Sequence, residues 1–425
     1  MSMPIRRPDA VARTPSESRP APQVALLPFI AVLAVAAGVL ATASALIVPA
    51  GLPYDEPADW ANVLFIAQHG RLPVVGEPGA QYEAQQTPVF YLVAAVIVRI
   101  AGQGQSGFLA VRLFGALGLV VLTVLVAAIL TRITCRRPVI VVVGTAFVAL
   151  NPMLIVMSAS VQNDTWALVA GFAAMLVAMA DRARHPWWHG AAIGALGALA
   201  ILVKLSMAPL VLGVWIVLLW RRRFREAAAS IVVVLVGCGW WVARNIVLYG
   251  DLTGQAGVEA AGYRFGRGGL GADVLAREAL TYLTLPTEYL RNTIRSPAWT
   301  DAVAVVIGAA IVVGLVVDLV LRRAILRSGP ALSVVVVGAV SVAAWVVQGY
   351  AGWEVAFRTA YGVLPLIALA YGSVTALAPG RVSRAILAVV LVALVIALAV
   401  WTGYALASGA SAAMLHFRSG SAPHG

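Results

Sequence analysis

Pro53–Pro88 reads PYDEPADWANVLFIAQHGRLPVVGEPGAQYEAQQTP. The stretch gathers Asp55, Glu56, Asp59, Glu77 and Glu83 into one acidic island, in a chain that is 61% hydrophobic and only 11% charged. Upstream of it lie a basic tail and a single apolar run. Downstream, nearly everything is apolar run. An island of carboxylates set against such walls is where polar chemistry has to be sited.

The apolar runs settle the class. With a mean hydropathy of +0.91, the chain reads as an all-α polytopic membrane protein, whose backbone must satisfy its hydrogen bonds within helices. The formal charge of +12 would suit nucleic acid, but the arginines fall in short loops between apolar runs, the pattern of a cytoplasmic loop bias. Nucleic acid is therefore not an expected partner. Cys135 and Cys238 sit in unlike surroundings, one in a basic loop and one inside a span. They supply neither a disulfide framework nor a metal spacing.

Residues 1–23 read as a disordered cytoplasmic tail carrying Arg6, Arg7, Arg13 and Arg19. Residues 24–48 form a first span, longer than the apolar core of a signal peptide and so a retained anchor. Further spans follow at 108–130, 139–157, 165–180, 188–203, 206–220, 227–248, 301–321, 331–347, 357–378 and 385–405. Every second connection is basic: Arg132, Arg136 and Arg137; Arg182 and Arg184; Arg221, Arg222, Arg223 and Arg225; Arg322, Arg323 and Arg327; Arg381 and Arg384. All of these belong on the cytoplasmic side with the N-terminus. The acidic island then faces outward, and an even number of crossings separates it from Phe108. Residues 89–101, too short to span, accordingly lie along the outer interface. The expectation is about eleven transmembrane helices plus interfacial helices in the first outer loop, 51–107. That gives a module over 24–249, an outer loop over 250–300, further spans over 301–405 and a disordered outer tail over 406–425.

With this topology, Asp55, Asp59, Glu83, Asp164, Lys204, Arg244, Glu354 and Arg358 share the outer face. Asp55, Asp59 and Asn62 recur at i, i+4, i+7 on one helical face, with Trp60 and Leu64 on another that would press into lipid. The carboxylates either line a cavity or merely cap and solvate a loop. Asp164, in the turn Gln162-Asn163-Asp164, either caps the next helix or faces Asp55. Lys204, the only lysine in the chain, marks the tip of a helical hairpin opened by Pro209. It either snorkels or holds a phosphate. Trp240 and Trp241 read as interfacial belt residues. Arg244 calls for an anionic partner. Glu354 and Arg358 either pair with each other or leave Arg358 free to grip a phosphate.

Taken together, these segments resemble the GT-C superfamily of integral membrane glycosyltransferases. PYDEPADWANVLFIAQHGRLP matches the acidic pair and H-G-x-L-P run that follow the first span in that group, except that Asp59 or Trp60 stands where a histidine is common. Glu83-Ala-Gln-Gln86-Thr-Pro88-Val-Phe-Tyr91 resembles its E-x-H-Q-P-P-x-Y-Y element, again without the histidine. Asn163-Asp164, Gly197–Lys204 and Trp240–Asp251 resemble its N-D turn, its G-L-x-x-x-T-K segment and its W-W-x-x-R-N-x-x-x-Y-G-D segment.

The resemblance implies inverting transfer of a sugar from a polyprenyl-phosphate donor to an acceptor hydroxyl of a glycan, lipid or protein, at the outer face of a bacterial cytoplasmic membrane. Asp55 would be the base and Glu56 would help to position the acceptor. Asp164, with Asn163 and Asp59, would orient the sugar or a divalent cation (Mg or Mn), any metal resting on Asp55 and Asp164. Lys204, Arg244 and Arg358 would hold the departing phosphate, while His69, Glu83, Gln86, Tyr91 and Glu354 would line the rest of the pocket. The alternative from a different class is a non-catalytic transporter of lipid-linked sugar or an envelope-assembly scaffold.

Overall fold

A chain immersed in hydrocarbon has one inexpensive way to satisfy a long apolar backbone, the α-helix. The computed structural model describes residues 26–134, 137–180, 184–263, 271–322, 329–350 and 356–409, and no strand occurs among them. Among the described residues, eight helical stretches are long and apolar enough to cross a membrane: Leu27–Ile47 (α1), Gln105–Ile133 (α4), Pro186–Val203 (α8), Phe224–Tyr249 (α10), Ala298–Leu319, Gly329–Tyr350 (α14), Phe357–Leu377 and Arg381–Ser408 (α16). Ala298–Val316 (α13) is the α-helical part of the fifth, and Leu364–Ser373 (α15) lies within the seventh between two 3-10 turns.

The expected span 139–157 is broken. Pro138–Ala149 (α5) and Pro152–Ser158 (α6) meet at 50°, because Pro152 cannot continue the helix and Asn151 restarts it, its side chain accepting from the Leu154 amide at 3.2 Å. Counted as one span, the pair brings the number to nine. The two remaining expected spans, Asp164–Ala178 (α7) and Leu205–Trp220, which contains Ala208–Trp220 (α9), are apolar but shorter. At 1.5 Å per residue the 15 residues of α7 rise about 22 Å, short of the ~30 Å hydrocarbon core. By length, then, eight or nine described stretches qualify, where the sequence counts eleven.

The segment that follows α1, residues 51–107, is built of helices. Glu56–His69 (α2) and Val89–Ala101 (α3) pack on each other, and α3 also lies against α4 and α8. The 13 residues of α3 reach about 20 Å, and Leu92, Val93, Val96 and Ile100 form its exposed face, as suits an interfacial helix. Trp60 does not face lipid as its position on α2 suggested. It is buried, edge-on to Phe108 of α4 with ring centroids 5.1 Å apart. The 250–300 loop likewise carries helices, Gln255–Ala260 (α11) and Ala272–Thr284 (α12).

Close helix crossings depend on glycine, since lipid offers no hydrophobic drive between helices and van der Waals approach must supply it. On α5 and α15 the device is reciprocal. A Cβ on Gly144 would stand 2.4 Å from the Ala368 carbonyl oxygen, and one on Gly372 would stand 2.4 Å from that of Ile140. The result is a bundle in which α1 and α8 end, and α7 and the 357–377 stretch begin, on one side. Everything described below occupies that side.

Candidate active site

Asp55 is the N-cap residue of α2, yet its side chain makes no capping bond. The carboxylate turns instead into the bundle, where Oδ2 accepts from Arg358 Nη2 and from Gln162 Nε2 at 3.3 Å, and Oδ1 accepts from the Tyr82 hydroxyl at 3.3 Å. Asp164 opens α7 and also leaves capping aside. Its Oδ2 lies 2.8 Å from Lys204 Nζ and 3.3 Å from Arg358 Nη1. Lys204 is brought there because α8 ends on it in an extended conformation, φ −155° and ψ 123°. Arg358 stands in the 3-10 turn Phe357–Val363 over the Tyr289 ring, with Gln162 Oε1 accepting from its Nη1 at 3.0 Å. Two carboxylates and two cations thus alternate, in the order Asp55, Arg358, Asp164, Lys204, and all four are nearly or fully buried. A snorkelling lysine and a solvating loop acid are both the wrong description.

A second layer joins this one through Asn163 and Gln86. Gln86 Oε1 accepts from Asn163 Nδ2 at 2.7 Å and from the Tyr91 hydroxyl at 3.4 Å, and the Tyr91 hydroxyl also donates to Asp59 Oδ1 at 2.5 Å. Asp55, Asp59 and Asn62 do share the inner face of α2, exposed by 7%, 2% and 1%. Glu83 is buried beside them.

Burial works to raise the Asp55 carboxyl, but the charges of Arg358 and Lys204 outweigh it and hold the group below the usual carboxylate range. Asp59 and Glu83 go the other way. Burial, and after it the negative charge of Asp55, pushes both well above that range. The folded state therefore binds more protons than the unfolded chain from the ordinary carboxylate pKa up to the raised one, and stability falls as pH rises through that window. Asp59→Asn keeps an acceptor for Tyr91 and removes the charge. Its melting temperature in detergent is expected to match wild type in acid and to exceed it above neutral pH. An equal or lower value at high pH would show that Asp59 is not strained by its charge.

Other expected site residues take different places. Glu56 is fully buried and wholly engaged: Arg112 Nε and Nη2 donate to it at 2.8 and 2.6 Å, and the Val161 and Gly51 amides at 2.9 Å each. It braces the loop and has no oxygen left over for an acceptor. His69 is exposed at the far end of α2, stacked on Phe65, its Nδ1 3.0 Å from the Phe65 carbonyl oxygen. Fourteen residues of helix place it about 21 Å from Asp55, outside the cluster. Arg244 donates to the Pro73 carbonyl at 2.6 Å and lies over Trp241, so it anchors the segment between α2 and α3 to α10. Trp241, expected at the lipid boundary with Trp240, is 3% exposed, whereas Trp240 is 48% exposed. Glu354 lies outside the described residues.

The sequence reading missed Arg112, Gln162, Tyr82 and Tyr289. Of these only Arg112 carried a signal, an arginine inside an otherwise apolar run, which in a membrane calls for a buried partner. A divalent cation between Asp55 and Asp164 would meet the Arg358 guanidinium already bridging them. Among the described residues no three His, Cys, Asp or Glu side chains converge as ligands. The donor set does not fit a resident metal at that point.

Solved structures share this arrangement of helices. ArnT from Cupriavidus metallidurans bound to undecaprenyl phosphate superposes with a TM-score of 0.57 at 17% identity, over 94% of this chain and 73% of that one. The fold is that of the GT-C membrane glycosyltransferases. The archaeal oligosaccharyltransferase AglB from Archaeoglobus fulgidus, in complex with an inhibitory peptide and a dolichol-phosphate, gives 0.52 at 14% identity, over 90% of this chain. The Archaeoglobus fulgidus oligosaccharyltransferase complex with Zn and sulfate gives 0.50 at 12% identity, over 87%. The chain spans 55% and 53% of the length of these two. A family model described as dolichyl-phosphate-mannose-protein mannosyltransferase matches residues 85–241, the part of the GT-C fold that holds Gln86, Tyr91, Asp164 and Lys204. No curated protein matches the chain in sequence.

Proposed function

We propose that the chain is an inverting glycosyltransferase that moves a sugar from a polyprenyl-phosphate donor to an acceptor hydroxyl, with its site on the outer face of a bacterial cytoplasmic membrane. The observation that carries the reading is the alternating set of Asp55, Arg358, Asp164 and Lys204, buried at one end of a GT-C bundle. Two paired cations beside an aspartate that does no structural capping suit a reaction whose leaving group is a phosphate. Undecaprenyl phosphate and dolichol-phosphate in the structures of ArnT and AglB support the donor class.

In this mechanism the acceptor oxygen attacks the anomeric carbon, the carbon–oxygen bond to phosphate breaks, and the phosphate leaves with the electron pair. Lys204 and Arg358 stabilise the charge it carries through charge-assisted hydrogen bonds. Asp55 takes the acceptor proton. The phosphate needs no proton of its own, so one base and two cations suffice. Before donor binds, Arg358 is occupied by Asp55. A phosphate that draws the guanidinium away leaves Asp55 more basic, so donor binding prepares the base.

Transfer from a panel of radiolabelled polyprenyl-phosphate sugars, measured in membranes, tests the reading. Wild type is expected to use at least one donor. Lys204→Met, which keeps the stem and removes the charge, is expected to raise the donor KM about tenfold or more, from the ~1.5–3 kcal/mol of a hydrogen bond to a charged group. Failure with every donor would return the chain to lipid-linked-sugar transport or a scaffold role.

A further inference from the structure

At the end of the bundle opposite the charged cluster, Arg223, Glu226 and His189 form a second polar group. Arg223 and Glu226 are exposed by only 4% and 3%, whereas Arg222 and Arg225 beside them are exposed. Arg223 Nη1 donates to the Ala178 and Ala180 carbonyls at 2.7 and 3.0 Å. Its Nη2 donates to Glu226 Oε2. His189 Nδ1 lies 2.7 Å from that same oxygen and 3.1 Å from Arg223 Nη2. An arginine that only marked a side of the membrane would keep its head group in water. This one is drawn into the protein.

The length of α7 supplies the reason. A helix leaves its last four carbonyls without partners, and α7, 15 residues and about 22 Å long, is too short to bring both ends to water. Its final carbonyls need a donor from the protein, and a guanidinium there also complements the helix dipole. Arg223 immediately precedes α10, Glu226 lies in the first turn of α10, and His189 lies near the start of α8. α8 is itself pressed onto α10. A Cβ on Gly190 would stand 2.4 Å from the Glu226 carbonyl oxygen, and one on Gly194 would stand 2.7 Å from that of Ser230. The group therefore ties the end of α7 to the starts of α8 and α10. The opposite ends of α7 and α8 carry Asp164 and Lys204, 2.8 Å apart. Sliding one apolar helix along another changes little in their van der Waals contact, so polar ties have to fix the relative height.

We propose that Arg223 is a positioning residue for the charged cluster, setting the height of Asp164 against Lys204 through its clamp on α7, α8 and α10. Only the effect on donor KM rests on the transferase reading.

Lys204 is the only lysine in the chain, so amine chemistry reports its pairing directly. The full chain is placed in nanodiscs of phosphatidylcholine and phosphatidylglycerol, which carry no primary amine, and treated with sulfosuccinimidyl acetate. Peptide mass spectrometry separates Lys204 from the α-amine and from the scaffold protein. In wild type Lys204 is expected to react slowly, being 9% exposed and held by Asp164. Arg223→Met strands the Glu226 carboxylate and is expected to lower the melting temperature. Combining it with Glu226→Met removes both charges and is expected to recover much of that loss. Lys204 is nevertheless expected to react about tenfold faster than wild type in both variants, the worth of one hydrogen bond to a charged group. Tyr371→Phe, which removes the hydrogen bond to the Leu391 carbonyl that joins α15 to α16, is expected to leave the rate unchanged. A wild-type rate in either variant that melts as a folded protein would overturn the positioning role, and so would an equal rise in Tyr371→Phe. In the transfer assay the double variant is expected to raise the donor KM as Lys204→Met does, with kcat changed less than KM. Faster reaction at Lys204 with no transfer from any donor would remove the transferase reading and keep the positioning role.

Discussion

Asp55→Asn is expected to lower sugar transfer by about 10²–10⁴-fold, the contribution of a positioned general base, with the amount of protein in the membrane unchanged. Asparagine keeps the shape of the side chain but only one oxygen, which serves either Tyr82 or the pair Gln162 and Arg358, so a thermal melt showing a folded variant accompanies the transfer assay. The wild-type pH profile carries a sharper form of the same prediction. A base works only when deprotonated, so activity is lost as pH falls through its pKa. In the free protein Arg358 and Lys204 hold Asp55 below the usual carboxylate range, and kcat/KM reports the free protein. Its acidic limb should therefore lie lower than that of kcat, which reports a complex in which the phosphate has drawn Arg358 away. Coincident limbs would mean that Arg358 does not change partner. Transfer that survives Asp55→Asn would remove the residue from the mechanism.

Arg112→Met should be the most destabilising change outside the charged cluster. Arg112 is 2% exposed, donates twice to Glu56, and also reaches the carbonyls of Ala45, Val48 and Pro49 at 3.0, 2.6 and 3.2 Å. One guanidinium thereby closes the C-terminal end of α1 and ties it to the first turn of α2. Through the Val161 amide on Glu56, it also fixes the turn that precedes Asp164. Removing one partner of a buried pair leaves a charge without compensation and costs about 3–5 kcal/mol. We expect a clear drop in melting temperature in detergent for Arg112→Met. Adding Glu56→Gln should recover part of that loss, because the neutral amide no longer needs a counter-charge. If the two losses simply add, the pair is not a coupled clamp. Asp55 directly precedes Glu56, so Arg112→Met should also lower transfer in protein that remains folded, while leaving the acidic limb of kcat/KM unmoved. That separates a bracing residue from the base.

How the pieces were legible differs from residue to residue. Asp55, Asp164, Lys204 and Arg358 could each be singled out along the chain, as charges standing at the ends of apolar runs. Nothing in the sequence made Arg358 the bridge between Asp55 and Asp164. Asp55 and Arg358 are separated by 303 positions, and their meeting is a property of how four helix ends assemble. The placing of Glu56 depends on a contact of the same kind, from Arg112, 56 positions away. An acid next to the proposed base looks like part of the chemistry until the buried arginine that holds it is seen. His69 was brought in by the H-G-x-L-P resemblance, whereas the length of α2 carries it out of the site.

What the sequence determined by itself was depth. Charge is expelled from hydrocarbon and apolar runs are drawn into it, so the alternation of arginine loops and apolar runs already assigns each segment its level along the membrane normal. What only the tertiary structure decided was rotation about each helix axis. Trp60 and Trp241 turn inward, Trp240 turns outward, and Arg112 points at Glu56. Lipid and protein interior are about equally apolar, so a membrane helix carries little of the amphipathic phase that reveals the inner face of a helix in water. Packing resolves that phase, through close contacts such as Gly144 against Ala368 and Gly372 against Ile140. Depth is set by water, which a sequence records; rotation is set by neighbours, which it does not.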